Sequence, residues 1–133
     1  MNIKAFAEKF IKAEYEAWHE GKFDALEKLE DPDVTYHQIS MGLEVKGFNA
    51  HKQQIMDLRQ MAPGIRIELE HLTGDGNVFA AIFKAGGAKF TGQAPGWPPP
   101  TGKDITANSI FVFRLDKGRL AEAWSMGIIT GLT

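Results

Sequence analysis

The chain contains no cysteine among its 133 residues. Disulfide bonds, cysteine nucleophiles and cysteine-ligated metals are therefore excluded. The four histidines show no His-x-x-x-His spacing, so the sequence predicts no metal site. The formal charge is only −2, which gives no basic surface for nucleic acid or for an anionic membrane.

Long apolar runs are also missing. No segment approaches the roughly 20 residues that a membrane-spanning helix needs, and the first residues lack the apolar stretch of a secretory leader. We therefore expect a cytoplasmic protein with no membrane partner. Its hydrophobic content of 44% and charged content of 24% are those of an ordinary globular protein. A chain of this length fits a single domain, 1–133, that can bury a core without cross-links.

The first half of the chain is mostly helical in pattern. Apolar residues recur at three- and four-residue spacing in its helical segments, and the strand segment alternates. The expected elements are helices over 3–19 and 23–29, a strand over 33–40 and a helix over 47–62. Asn2 can cap the first helix and Gly21 can end it.

The second half alternates with a period of two. The expected strands cover 65–71, 78–84, 104–115 and 119–129. Residues 85–103, rich in glycine and proline, form a long connection, and a loop of that length in a compact domain usually has a function. The order of helix, helix, strand, helix and four strands predicts one α+β domain.

The last strand carries a carboxylate among large side chains. Alternation puts five large residues on one face, Leu120, Glu122, Trp124, Met126 and Ile128, and small residues on the other. The large face is expected to meet the helices. An ionised Glu122 there is costly unless it is paired, and unpaired its pKa would rise.

Two interpretations of Glu122 follow. It forms a structural ion pair with Arg114 or Arg119, or it acts as a general acid/base on a pocket wall. The hairpin turn decides part of this, because a two-residue turn at 117–118 puts Phe113 opposite Glu122. A three-residue turn at 116–118 puts Val112 there and Arg114 on the same face as Glu122. The sequence leaves both registers open.

The remaining histidines and Trp97 are read from their local patterns. His51 lies on the apolar side of its helix, where packing or capping is the expected role, and His19 and His71 are expected to be structural. Trp97 stands in a glycine- and proline-rich loop, where a large aromatic residue is expected to fold back onto something apolar. It either fills the interior or closes over a ligand.

Several motifs in the last third resemble those of one family. They are Pro-Pro-Thr-Gly-Lys at 99–103, Phe-Arg at 113–114, the glycine turn at Gly118 and Glu-Ala-Trp at 122–124. These resemble the SnoaL-like polyketide cyclases, of the superfamily that includes nuclear transport factor 2 and ketosteroid isomerase. The family has His where this chain has Ala123. The resemblance implies a cone: a curved antiparallel sheet packed against three helices from the N-terminal half, with a pocket between them.

The resemblance also implies a reaction and a set of site residues. Characterised members close a ring by aldol condensation without metal or organic cofactor, using a pocket carboxylate and histidines. The family's acid/base Asp falls on Ile128, and its histidine of the third strand falls within 87–92, which has none. The catalytic candidates are therefore Glu122 and His37, which lies on the first strand where such proteins often carry a pocket histidine. The sequence alone leaves open whether His37 is a pocket residue or a structural core or edge histidine. The expected substrate-binding residues are Tyr15, Trp18, Trp97, Arg114, Trp124 and Met126.

Two functions remain as alternatives at this point. The first is an enzyme for cofactor-free aldol cyclisation or isomerisation of a small hydrophobic carbonyl compound. The second is a non-catalytic protein of the same fold that binds a small molecule or a partner. Epoxide hydrolysis, known elsewhere in the superfamily, needs a second Asp facing Arg114, which the pattern does not supply. A homodimer is expected in either case.

Overall fold

The computed structural model describes residues 2–133. Its elements are α1 (Ile3–Tyr15), α2 (Asp24–Leu29), β1 (Glu30–Gln38), β2 (Leu43–Lys46), α3 (Phe48–Met61), β3 (Arg66–Asp75), β4 (Val78–Lys89), β5 (Asp104–Asp116) and β6 (Arg119–Thr130). A π-helical segment, Glu16–Glu20, extends α1. Within 2–133, no helix combines the length and the apolar character required to cross a membrane.

The two ends of the first helical segment form as its sequence predicts. The Asn2 side chain accepts a hydrogen bond from the Ala5 backbone N–H at 3.1 Å, which satisfies one free donor of the first turn. Gly21 ends the π-helical segment in the left-handed conformation, with φ of 68°. The buried side of α1, which includes Phe6 and Phe10, packs on the sheet.

The six strands form one curved, unclosed sheet in the order β2-β1-β6-β5-β4-β3. The predicted α+β fold is confirmed. Neighbouring strands are antiparallel except β1 and β6, which run parallel, so the sheet is not wholly antiparallel. Strand β2 was not predicted, because its four mostly exposed residues are too few to show alternation.

Two apolar clusters close the space between the helices and the sheet. In the larger one, Phe113 lies 5.0 Å from Phe10 and 4.6 Å from Phe79 between ring centroids. The smaller one packs Met61, Phe90 and other residues beneath the 90–103 connection. A cavity lies between these clusters and the inner face of the sheet.

The β5–β6 hairpin combines a tight turn with a bulge. Lys117 and Gly118 both have positive φ, 51° and 78°, as in a two-residue type I′ turn. Beyond the turn, Leu115 pairs with Leu120, but Arg114 pairs with Glu122, so Ala121 is the extra residue of a bulge. The turn is thus the two-residue one, yet Arg114 and not Phe113 lies opposite Glu122.

This bulge exchanges the faces of β6. Leu120 is buried on the inner face, but beyond Ala121 the buried residue is Ala123, while Met126 is 57% exposed. The prediction that all the large residues meet the helices is therefore wrong beyond Ala121. One inserted residue reverses the side on which every following side chain lies.

The positive φ of Lys117 predicts a stabilising substitution. Left-handed backbone costs an ordinary L-residue about 1 kcal/mol, and Asn tolerates it better than Lys. We expect Lys117→Asn to raise the free energy of unfolding by about 0.5 kcal/mol in urea denaturation. Lys117→Gln, which has no left-handed preference, is the control. Equal stability of the two variants would contradict this account of the turn.

Candidate functional site

Glu122 and His37 lie together on the outer face of the sheet. His37 Nε2 is 2.6 Å from Glu122 Oε2, and Arg114 donates to Glu122 Oε1 at 3.1 and 3.3 Å. His37 Nδ1 lies 3.2 Å from Glu44, and the His37 ring stacks on Trp124 with centroids 5.5 Å apart. These contacts form a row of four ionisable groups across β2, β1, β6 and β5.

The charges in this row satisfy one another. The hydrogen bond that His37 donates to Glu122 is the largest influence on His37 and raises its pKa, and Glu44 adds to this effect. The hydrogen bond from His37, together with Arg114, lowers the pKa of Glu122. A carboxylate with a lowered pKa is a weak base. The row therefore has the chemistry of an ion-pair network and lies outside the cavity.

The cavity has a volume of about 510 Å³, within the range of small-molecule sites. Most of its wall is apolar. Trp18 and Trp97 both line it, as do Phe83 and Phe111. The Trp97 indole N–H donates to Asp57 at 3.2 Å, which ties the 90–103 connection to α3.

The other predicted binding residues lie elsewhere. Tyr15 does not line the cavity: its hydroxyl accepts the Leu69 backbone N–H at 2.8 Å and so joins α1 to β3. Arg114 and Trp124 belong to the outer row, and Met126 lies on the same outer face. The structure brings Trp18 and Trp97 to the cavity and leaves the other four predicted binding residues away from its wall.

A buried polar cluster lies at one end of the cavity. The Tyr36 hydroxyl donates to Glu30 Oε2 at 2.7 Å, and His51 Nδ1 lies 2.9 and 3.1 Å from the two Glu30 oxygens. The Trp18 indole N–H donates to Glu14 Oε2 at 2.9 Å. Glu30 is fully buried, while Glu14, Tyr36 and His51 line the cavity. Helices α1 and α3 and strand β1 each contribute to this cluster.

Two atoms of the cluster face the cavity without a partner. Within residues 2–133, neither Glu14 Oε1 nor His51 Nε2 makes a hydrogen bond. In the same residues, no fully enclosed side-chain nitrogen or oxygen lacks a partner, so these two atoms keep some accessible surface, and both side chains line the cavity. They are the groups that a bound molecule would meet.

The surroundings of the cluster raise the pKa values of three of its side chains, Glu14, His51 and Tyr36. Burial raises the pKa of Glu14 to about 7, while His51 opposes the shift and Glu30 adds to it. Burial lowers the pKa of His51, but the charges of Glu30 and Glu14 and the Glu30 hydrogen bond outweigh it, so the net shift is upward. Burial and Glu30 raise the pKa of Tyr36, which stays a neutral phenol. Near neutral pH, Glu14 can therefore both accept and donate a proton.

The same residues are the ones that could hold a cation. Carboxylate oxygens of Glu14 and Glu30 and a ring nitrogen of His51 lie within 4.8 Å of one another. However, Glu30 already accepts hydrogen bonds from Tyr36 and His51, and a positive His51 balances its charge. This donor set fits a proton-sharing network better than a metal site.

The sequence carried partial signals for this cluster. Glu14 falls four residues after Phe10 and three before Ala17, on the buried stripe of α1, where a carboxylate is unexpected. The pattern puts His51 on the apolar side of α3, where packing or capping is the expected role. Glu30 lies in an acidic stretch before Pro32, where nothing marks it as buried. The site residues were missed because no pattern links these three positions.

The sequence model of the SnoaL-like domain family matches residues 11–123 of this chain. The chain belongs to the SnoaL-like family. The matched span contains the whole buried cluster and the four ionisable groups of the outer row. A search of curated proteins found no match.

Several solved structures of other proteins have the same fold as this SnoaL-like chain. A candidate SnoaL-like polyketide cyclase from Jannaschia sp. CCS1 superposes with a TM-score of 0.79 at 18% identity, covering 96% of this chain and 88% of that one. IdmH, a candidate polyketide cyclase from Streptomyces antibioticus, gives 0.73 at 18%, covering 96% and 92%. A candidate cyclase from Acidithiobacillus ferrooxidans gives 0.68 at 25%, covering 96% and 91%.

The raised pKa of Glu14 predicts a pH-dependent stability. The folded state holds this proton more tightly than the unfolded chain, whose Glu14 titrates near 4.5, so the stabilisation is present below 4.5 and is lost as the pH rises through about 7. In urea denaturation, the free energy of unfolding of Glu14→Gln should rise by about 3 kcal/mol relative to that of wild type as the pH goes from 4.5 to 8.

The exposed Glu8 on the same helix supplies the control. Glu8→Gln should follow the wild-type pH dependence, because its carboxylate is not transferred to a buried site on folding. Parallel curves for Glu14→Gln and wild type would show that Glu14 is not a buried, part-protonated group.

Proposed function

We propose that this SnoaL-like protein binds a small hydrophobic carbonyl compound in its cavity and catalyses cofactor-free proton transfer, as isomerisation or aldol cyclisation. The observation that carries the proposal is Glu14, a carboxyl with a pKa of about 7 on the wall of an apolar cavity. Such a group is suited to moving a proton next to a carbonyl at neutral pH. No metal or organic cofactor enters the reaction.

Glu14 is oriented for this role by Trp18. The indole N–H holds Oε2, and Oε1 is left toward the cavity. As a carboxylate, Glu14 removes a proton from the carbon beside the carbonyl, and the electron pair moves onto the carbonyl oxygen. The protonated Glu14 then returns the proton to another carbon for isomerisation, or to the new alkoxide in an aldol closure. The apolar wall keeps water from competing for that proton.

We assign Glu122 and His37 a structural role as members of an ion-pair network, which is one of the alternatives that the sequence left open. Their contacts with each other, with Arg114 and with Glu44 account for their charges, and neither side chain lines the cavity. The acid/base role predicted for Glu122 is thereby moved to Glu14. Trp18 and Trp97 keep the ligand-binding role that the sequence predicted for them.

A non-catalytic binding protein is the second candidate. It is favoured by the mainly apolar wall and by two tryptophans that offer flat surfaces to a ring system. Under this alternative, the buried cluster serves only to join α1, β1 and α3. Both candidates need the cavity to accept a ligand, but only the first needs the proton of Glu14.

The central prediction concerns hydrogen exchange in a bound ketone. With 2-tetralone, a neutral bicyclic ketone, wild type should accelerate exchange of the α-hydrogens for deuterium above the buffer rate, as followed by NMR. Glu14→Gln should lower that acceleration by about 10²-fold or more, because it removes the acid/base group. Glu122→Gln, the matched control on the outer face, should retain it.

The outcomes separate the candidates. A thermal shift with 2-tetralone but no exchange would support the binding protein and overturn the enzyme. Loss of exchange in Glu122→Gln, with exchange retained in Glu14→Gln, would return the acid/base role to the outer row. Absence of both a thermal shift and exchange would overturn the proposed ligand class.

We also infer that the protein is a homodimer that pairs through the outer face of the sheet. Cross-strand pairs Ile110–Met126 and Val112–Trp124 form a continuous apolar patch there, and Ile110 and Met126 are 54% and 57% exposed. A two-fold axis brings one patch against its own copy, so no second surface is required. The predicted cytoplasmic location remains a prediction of the sequence.

The dimer predicts a change of mass on substitution. Met126→Lys should convert a dimer to a monomer in sedimentation experiments, because it would bury an unpaired charge at the centre of the patch. Gln53→Lys, exposed on α3, is the control and should remain dimeric. A monomeric wild type at micromolar concentration would contradict the dimer.

A further inference from the structure

The two cavity-facing atoms of the buried cluster belong to different side chains with different acidities. We propose that His51 is a second catalytic residue, the donor of a proton to the carbonyl oxygen, and that Glu30 and Tyr36 are its positioning residues. This inference rests on the proposed proton transfer by Glu14. It assigns the carbonyl oxygen to His51 and the neighbouring carbon to Glu14.

Glu30 determines which nitrogen of His51 reaches the ligand. Its carboxylate lies 2.9 and 3.1 Å from Nδ1, so the proton on Nδ1 is held in that hydrogen bond. Nε2 is then the nitrogen left toward the cavity, and it carries a proton in the imidazolium form. A carboxylate that orients an imidazole in this way is the usual means of fixing its tautomer.

Tyr36 restrains the same pair from a second side. Its hydroxyl donates to Glu30 at 2.7 Å, and its ring stacks on the imidazole with centroids 4.0 Å apart and planes 28° apart. The carboxylate therefore cannot rotate away from His51 without breaking the hydrogen bond from Tyr36. The imidazole is held by its edge and by its face.

The spacing of Glu14 and His51 suits one enolisable carbonyl. Their nearest ligating atoms are no more than 4.8 Å apart. A carbonyl oxygen and the hydrogen on the neighbouring carbon are close enough together for each to be within hydrogen-bond reach of one of these groups. Glu14 can then act at carbon while His51 acts at oxygen.

The step balances without any other reactant. Glu14 takes the proton from carbon, the C–H electron pair becomes the C=C bond, and the C=O π pair moves to oxygen. The Nε2 proton of His51 passes to that oxygen, so the product is a neutral enol and not an enolate. In the return step, the enol O–H gives its proton back to Nε2 and the C=O bond re-forms. The C=C electron pair then bonds either to the proton of Glu14, which completes an isomerisation, or to the carbon of a second carbonyl, whose new alkoxide takes that proton from Glu14.

The charges around His51 favour its acidic form. Glu14 faces it from α1, and Glu30 and Tyr36 face it from β1. Both carboxylates attract the imidazolium, whereas Tyr36 is a neutral phenol. Two carboxylates at this end would repel an anion, so the group that docks here is a neutral ketone or aldehyde rather than a carboxylic acid.

The test compares pH profiles of α-hydrogen exchange in 2-tetralone. Wild type should give a bell, with an acidic limb from Glu14 and an alkaline limb from loss of the His51 proton. His51→Gln should lower the maximal rate by about 10²-fold with little change in KM, and should lose the alkaline limb. Glu30→Gln should shift the alkaline limb to lower pH, because the imidazolium loses its carboxylate partner.

Controls separate chemistry from folding. His71→Gln, at an exposed histidine near the end of β3, should behave as wild type. The double variant Glu30→Gln/His51→Gln removes both charges together, so it avoids a lone buried carboxylate and should fold while remaining slow. In wild type, 15N NMR of the imidazole should show Nδ1 protonated at high pH, a result independent of any variant's folding.

The two proposals fail in different ways. If Glu14→Gln abolishes exchange but His51→Gln keeps the rate and the alkaline limb, the role of His51 is overturned and that of Glu14 stands. A neutral imidazole protonated on Nε2 would also overturn it. If wild type gives no exchange, or Glu14→Gln retains it, the proposed function itself is overturned.

Discussion

The carboxylate of Glu30 is the constraint on which the candidate site depends. It is fully buried, and a buried carboxylate is tolerated only when hydrogen bonds and an opposite charge surround it. Tyr36 from its own strand and His51 from α3 supply both, and so the strand and the helix are held in one relative position. Glu14 joins from α1 with a pKa of about 7, because burial disfavours its charged form and the neighbouring Glu30 adds to that effect.

Strand β1 carries a histidine–carboxylate system on each of its faces. On the outer face, His37 and Glu122 are reached by solvent and by Arg114, and the carboxylate stays ionised with a lowered pKa. On the inner face, burial dominates, and Glu14 is raised to a pKa of about 7. The same residue types therefore form a solvent-accessible ion-pair network on one side and a buried hydrogen-bonded cluster on the other. The difference comes from solvent access and not from composition.

Much of the fold was predictable because it depends on local pattern. The apolar stripe of α1, its Asn2 cap and the alternation of the later strands each require only neighbouring residues, and these predictions are confirmed. The hairpin was harder, because the positive φ of Lys117 and the bulge at Ala121 leave no periodic trace. That single bulge placed Glu122 on the outer face instead of the expected interior, and there it meets His37 of β1.

By itself, the sequence determined the α+β order and the family resemblance, since each is written in consecutive or regularly spaced residues. The tertiary structure alone decided that Glu14, Glu30, Tyr36 and His51 meet. They come from three elements, and His51 lies 21 residues beyond its partner Glu30. Whether a carboxylate is buried beside another depends on how those elements pack, and burial is what sets its pKa. No spacing rule along the chain contains that information.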